Sequence, residues 1–512
     1  MLKARSIMVQ GTSSNVGKSI LCTALCRIFY QDGYRTVPFK AQNMALNSVV
    51  TADGGEIGRA QGVQAEAAGI QPDVLMNPIL IKPKQDMQAQ IVVLGAPAGD
   101  MSARDYREHF LPHALPLVRD SIEKLKEEYE ILVIEGAGSP AEVNLKDRDI
   151  VNMKTAELAD APVLLVADID RGGVFASLIG TLELLEENER QRVKGFIINK
   201  FRGDIELLKP GLDFLSQRTG IPVLGVIPFL HEHGIDEEDS VCLSEYRDWG
   251  DVDAPINIAV LQLPRISNFT DIKAFIGLPD THLRYVKKGQ AIGHADLLII
   301  PGTKNSILDL LYLKEEGLFE EILELAGRGV LIAGVCGGYQ MLGIDLLDPE
   351  GSEAGIGSQK GLGLLPCVTT FSSAKSTHQA EAQILTGNGF WSHLAGQTVR
   401  GYEIHMGQTQ ILPGCGTLMQ IHKRSGQPAE IMEGACSENG RVFGSYMHGF
   451  FDNSSVMLAL MNTLRGEKGL SPLVQENLPS FQYGDRYDRL AAVVRQAIPM
   501  EEVYKIMDGW GA

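Results

Sequence analysis

The sequence predicts an α/β fold: two doubly wound, mostly parallel sheets followed by a helical C-terminal tail. Three observations predict it. Short β-branched runs alternate with amphipathic helical stretches, several of those runs end in glycines, and the alternation stops in an acidic, poorly periodic stretch over 231–253 before starting again at 256. A chain of 512 residues is too long for one core and divides into domains. We place a first domain over 1–240, a second over 252–453 and the tail over 454–512.

The elements follow in order. Residues 6–9 form a buried strand that feeds the glycine-rich turn Gly11-Thr12-Ser13-Ser14-Asn15-Val16-Gly17-Lys18-Ser19, and the apolar pattern 20–25 continues it as a helix. Backbone N–H groups of such a loop, together with the helix N-terminus, cradle phosphate oxygens. Lys18 is placed to neutralise the β- and γ-phosphates of ATP and Ser19 to ligate Mg²⁺. Five residues separate Gly11 from Gly17, one more than the usual spacing. Lys40 follows the short strand 37–39 and is either a phosphate-facing cation or an ordinary surface lysine. Strand 131–134 ends in Glu135-Gly136-Ala137-Gly138, where a carboxylate at the strand end suits magnesium; Asp53 in Ala52-Asp53-Gly54 is a second candidate, and either acid also suits a plain turn. Strands 163–167 and 195–198 complete the first series. His231 and His233 sit in the acidic stretch without further ligands at metal spacing, so no metal is assigned to them.

The second series runs through strands 256–260, 297–300, 330–333 and 441–445. The third ends in Gly334-Val335-Cys336-Gly337-Gly338, a sharp strand-to-helix turn that presents a nucleophilic sulfur with the Gly337 amide aimed at a developing oxyanion. Gly302, in the glycine loop after 297–300, offers a second donor. A thiol needs a base. His448, just past strand 441–445, is the first choice and His405 its rival. A phosphate site that activates a carboxylate and a cysteine that releases ammonia from an amide together describe glutamine-dependent amide synthesis.

Composition narrows the partners. A formal net charge of −18 and the absence of a Lys/Arg-rich run argue against nucleic acid. No apolar run approaches the ~20 residues that cross a bilayer, and seven scattered cysteines do not make a disulfide framework. The expectation is a cytoplasmic protein acting on small molecules, with a homo-oligomer left open.

The whole chain resembles the cobyric acid synthase family of the cobalamin pathway. The N-terminal half is similar to dethiobiotin synthetase-type ATPase domains, which share the longer phosphate-loop spacing. The run Pro38-Phe39-Lys40-Ala41-Gln42-Asn43-Met44-Ala45-Leu46-Asn47 resembles a segment characteristic of these synthases. The resemblance implies a phosphate-facing Lys40, magnesium ligands Ser19, Asp53 and Glu135, and an adenine-reading Asn199. Residues 252–450 resemble a class I-type glutamine amidotransferase domain with Cys336 and His448 at the matching positions. It departs from the fuller triad at Phe450, where many such domains carry the glutamate that orients the imidazole, leaving a backbone carbonyl or water for that task. The implied acceptor is a corrinoid, adenosylcobyrinic a,c-diamide, amidated at carboxylates b, d, e and g with ATP and glutamine. A related amidoligase acting on another polycarboxylate stays open; a regulatory ATPase is disfavoured by the Cys336/His448 half.

Overall fold

The strand expected over 6–9 runs Arg5–Gly11, buried along its length, at the middle of a six-stranded sheet. The order across the sheet is Val223–Pro228, Val193–Phe201, Val163–Asp168, Arg5–Gly11, Ile131–Glu135 and Thr36–Phe39. Every neighbouring pair is parallel. Strands buried on both faces read as continuous apolar runs, which is why five of the six were legible; Val223–Pro228, half-buried at the sheet edge, was not among them. The order reverses beside Arg5–Gly11, and ligands of open α/β sheets bind where the strand order switches, beyond the carboxyl ends. The computed structural model describes residues 4–85, 88–230, 235, 248–353, 355–387, 389–478 and 483–510. His231 and His233 lie outside the described residues.

The chain divides into two units. The first comprises residues 1–48, 56–238 and 482–512; the second comprises 49–55 and 239–481. In the first unit the helix Lys18–Gln31 follows the phosphate loop and buries Leu21, Leu25, Ile28 and Phe29. A smaller four-stranded sheet, Gln42–Met44, Ile79–Gln85, Gln88–Val93 and Ala96–Ser102, was not anticipated.

In the second unit five parallel strands lie in the order Thr281–Val286, Ile256–Leu261, Leu297–Ile300, Leu331–Val335 and Val442–Ser445. The sheet then continues in antiparallel fashion through Gln427–Cys436, Gly416–Arg424 and Cys367–Ile384, with Thr398–Ile411 paired to Cys367–Ile384. This extension carries Ser, Thr, Lys, His and Gln at half-exposed positions, so no continuous apolar run marked it.

The tail over 454–512 is helical but is not one body, which corrects the expected domain bounds. Helix Ser454–Glu467 buries Val456, Leu460 and Leu464 in the core of the second unit. Helices Tyr483–Ala497 and Met500–Asp508 belong to the first, where Leu490, Val494 and Val503 share a core with Leu25 and Phe29. Among the described residues no helix is long and apolar enough to cross a membrane.

Candidate active sites

The phosphate loop closes on itself. Asn15 and Gly17 have φ of 60° and 98°, and Gly17 starts the helix Lys18–Gln31. A Cβ on Gly17 would fall 2.1 Å from Asn199 Nδ2, so the position admits only glycine. Lys18 Nζ donates to Ser13 O at 3.0 Å and to Gly138 O at 3.2 Å, joining the loop to the turn after Glu135. Asn199 Nδ2 donates to Val16 O at 2.7 Å, so the residue expected to read adenine also braces the loop. Lys200, which sequence analysis did not single out, braces it as well, donating to Asn15 O at 2.7 Å and pairing with Asp168 at 2.9 Å. Gly11 and Thr12 continue the strand register, Thr12 N donating to Val166 O at 2.9 Å.

The parallel register sets Glu135 opposite Val9, two residues before Gly11. Its Oε1 accepts from Ser19 Oγ at 2.8 Å and Lys40 Nζ at 2.9 Å, and its Oε2 from Gln64 Nε2 at 2.6 Å. Burial alone would raise this carboxyl, but the Lys40 ammonium and the three hydrogen bonds outweigh it and hold Glu135 below the ordinary carboxylate value. Lys40 is therefore no surface lysine: it is buried and paired. Gln64, on the helix Arg59–Ala67, gave no signal beyond a polar residue on a short helix.

Asp53, the other expected ligand, lies in the turn after the strand Ser48–Val50. Its carboxylate accepts from Thr51 within its own exposed turn, and residues 49–55 group with the second unit. Among the described residues no cluster of three His, Cys, Asp or Glu side chains suits a metal. The adjacent hydroxyl of Ser19 and carboxylate of Glu135 still fit magnesium, a hard cation that commonly takes one or two protein oxygens and completes its shell with phosphate and water.

In the second unit the strand Leu331–Val335 ends at Cys336, whose φ of 51° and ψ of −106° put the sulfur on a strained turn before the helix Gly337–Leu342. A Cβ on Gly338 would fall 1.9 Å from Ile300 O, so the turn sits tight against the neighbouring strand. Cys336 N donates to Ser445 O at 2.8 Å, and Sγ lies 3.5 Å from Ile404 O. The two glycines expected to supply the oxyanion donors are close by. A Cβ on Gly302 would come 3.7 Å from Cys336 Cβ and 3.2 Å from His448 Cε1, and one on Gly337 would meet Thr303 Cγ2 at 2.5 Å.

His448 is fully buried. Its Nδ1 is 2.7 Å from Asp271 Oδ2, while Asp271 Oδ1 accepts from Gly449 N at 2.7 Å. The ring stacks on Tyr402 at 5.2 Å between centroids. Burial favours the neutral imidazole, but the charge and hydrogen bond of Asp271, then the Cys336 sulfur, overcome it and push His448 up to about 10.

A carboxylate thus holds the imidazole, where a backbone carbonyl or water was expected. It comes from the 3₁₀ segment Phe269–Phe275, far from position 450 in sequence. Phe450 is buried and packs near Trp391 and Phe451, so its position faces apolar core and cannot seat an acid. The only sequence signal for Asp271 was a polar cluster, Ser267-Asn268-Phe269-Thr270-Asp271, interrupting an apolar stretch after strand 256–260. His405, the rival base, stacks on Tyr446 at 3.8 Å, and its Nδ1 lies 2.7 Å from Gly407 O.

Known proteins place both halves. Residues 7–239 match the CobQ/CobB/MinD/ParA nucleotide binding domain, and residues 257–456 the CobB/CobQ-like glutamine amidotransferase domain. Over nearly their whole lengths, similar relatives are cobyric acid synthases. That of Desulforamulus reducens is 59% identical over 99% of this chain and 99% of its own. That of Pelotomaculum thermopropionicum is 51% identical over 98% and 97%, and that of Salmonella agona 48% over 98% and 98%.

Proposed function

Since this chain belongs to the cobyric acid synthase family, we propose that it amidates carboxylates b, d, e and g of adenosylcobyrinic a,c-diamide, using ATP and the amide nitrogen of glutamine. The observation that carries the glutamine half is the buried Asp271–His448 pair beside the strained Cys336.

In that half the Cys336 thiolate attacks the side-chain carbonyl carbon of glutamine, and the amides of Gly337 and Gly302 receive the oxyanion. Imidazolium at His448, held by Asp271, gives its proton to the departing ammonia. The C–N bond breaks and a glutamyl thioester remains. Water, deprotonated by the now neutral ring, hydrolyses the thioester, so glutamate leaves and the thiolate–imidazolium pair is restored. The role of Asp271 is to fix the ring with Nδ1 protonated and to stabilise the imidazolium, as in other triads.

In the ATP half a corrinoid carboxylate oxygen attacks the γ-phosphorus, the bond to the β-phosphate bridging oxygen breaks, and an acyl phosphate and ADP form. Ammonia then attacks the acyl carbon, phosphate departs, and the amide remains after loss of a proton. Lys18 and Lys40 supply positive charge to the transferring group, with the loop residues 11–19 and Asn199 holding the nucleotide. Ser19 and Glu135 would hold magnesium, which neutralises phosphate oxygens when bound. Gln64 fixes the second oxygen of Glu135, leaving the other toward Ser19 and Lys40.

Mass spectrometry of the corrinoid tests the reading. Wild-type protein with ATP, magnesium and glutamine is expected to add four amides. Cys336→Ala is expected to add none from glutamine and all four from ammonia. No mass change from either nitrogen source, with folded protein that binds ATP, overturns the corrinoid assignment.

A further inference from the structure

The bend between the strand Val442–Ser445 and the bridge Met447–His448 carries the backbone N–H groups of Tyr446 and Met447. Buried N–H groups of this kind need partners. The antiparallel pairs Ala435–Gly444 and Cys436–Phe443 run the neighbouring strand up to the bend and bring Glu433 against it. Glu433 Oε1 accepts from Tyr446 N at 2.6 Å, and Oε2 accepts from Ser445 Oγ at 2.9 Å. Ser445 Oγ in turn accepts from Met447 N at 2.9 Å. One carboxyl therefore closes both N–H groups, one directly and one through a hydroxyl.

The bend has the two reacting groups at its ends. Ser445 O holds Cys336 N at 2.8 Å, and His448 follows Met447. We propose that Glu433 is a positioning residue for the glutamine half-reaction: its hydrogen bonds to Tyr446 and Ser445 set the distance between the Cys336 turn and His448. The inference rests on the reading of Cys336 as the glutaminase nucleophile.

What the site asks of Glu433 is two hydrogen bonds rather than a charge. The groups facing it include the carboxylate of Glu403, which is held by Arg424 in two bonds at 2.8 and 3.0 Å. Burial first, then Glu403, raises the Glu433 carboxyl to about 8. A glutamine side chain keeps both contacts: its carbonyl accepts from Tyr446 N, and its amide meets Ser445 Oγ with the bond reversed, donating where the carboxyl oxygen accepts. Alanine removes both, and a misplacement on the order of 1 Å in such a site lowers turnover about 10²-fold.

The test compares glutamine-dependent with ammonia-dependent amidation in wild type, Cys336→Ala, Glu433→Ala, Glu433→Gln and Ser445→Ala. Ammonia bypasses the glutaminase, so general unfolding lowers both rates and misplacement lowers one. Glu433→Ala is expected to lose about 10²-fold in glutamine-dependent kcat with ammonia-dependent kcat unchanged. Cys336 in that variant is expected to alkylate correspondingly more slowly with a glutamine-analogue chloroketone. Glu433→Gln is expected within a few-fold of wild type and Ser445→Ala between the two. Equal loss in Glu433→Gln and Glu433→Ala, loss of ammonia-dependent rate in step, or no loss in Glu433→Ala each overturns the proposal. If Cys336→Ala retains glutamine-dependent turnover, it is the underlying reading that fails.

Discussion

At the level of single residues, the carboxylate that holds His448 is Asp271. In the folded protein its charge keeps His448 protonated to about 10, whereas a free histidine titrates near 6.5. Replacing Asp271 by Asn removes that charge and the wanted tautomer, and about 10²- to 10⁴-fold of glutamine-dependent kcat is expected to go with it, with ammonia-dependent amidation unchanged. The same variant predicts a pH signature. Because the folded pKa is raised, the imidazolium pair stabilises the second unit fully below the unfolded value near 6.5 and is lost as pH rises through about 10. The melting-temperature gap between wild type and Asp271→Asn should therefore be widest below pH 6.5 and close toward pH 10; a gap that widens with pH refutes this assignment. On the ATP side, Lys40 and Glu135 were readable as candidates because each follows a strand. Gln64 was not, since nothing in a short helix says which of its amides turns inward to a carboxylate.

At the level of elements, each reaction centre sits where a parallel strand gives way to a helix through a glycine turn. The first turn needs glycine at 17 because Asn199 occupies the space of a side chain, the second at 338 because the carbonyl of Ile300 does. Both turns were legible from glycine spacing after an apolar run, since backbone that must approach backbone leaves a mark in the sequence. Gly338→Ala puts a methyl 1.9 Å from that carbonyl. The strand or the turn must shift, which costs about 1–3 kcal/mol. The expected outcome is a lower melting temperature together with slower alkylation of Cys336; a variant with wild-type alkylation would show that the turn tolerates the shift. The antiparallel extension left no comparable mark, because its strands alternate polar and buried positions and depend on one another for pairing.

At the level of the whole molecule, the last 30 or so residues matter more than a tail would. Leu490, Val494 and Val503 are buried against the helix that follows the phosphate loop. At about 1.5–3 kcal/mol for each large apolar side chain, deleting these helices removes a sizeable part of the 5–15 kcal/mol that typically stabilises a domain. A chain stopped after residue 478 is expected to lose ATP binding, measured by calorimetry, while Cys336 keeps its reactivity; retained ATP binding would show that the helices are dispensable. The sequence by itself determined the α/β class, the phosphate loop with Lys18 and Ser19, the cysteine turn and His448, because these depend on local spacing and on strands buried on both faces. Only the tertiary structure decided that Asp271 rather than position 450 orients His448, that Gln64 holds the second oxygen of Glu135, and that the C-terminal helices return to the first unit. Those relations join residues tens to hundreds of positions apart, and a side chain's partner across such a span is chosen by packing, which local pattern does not encode.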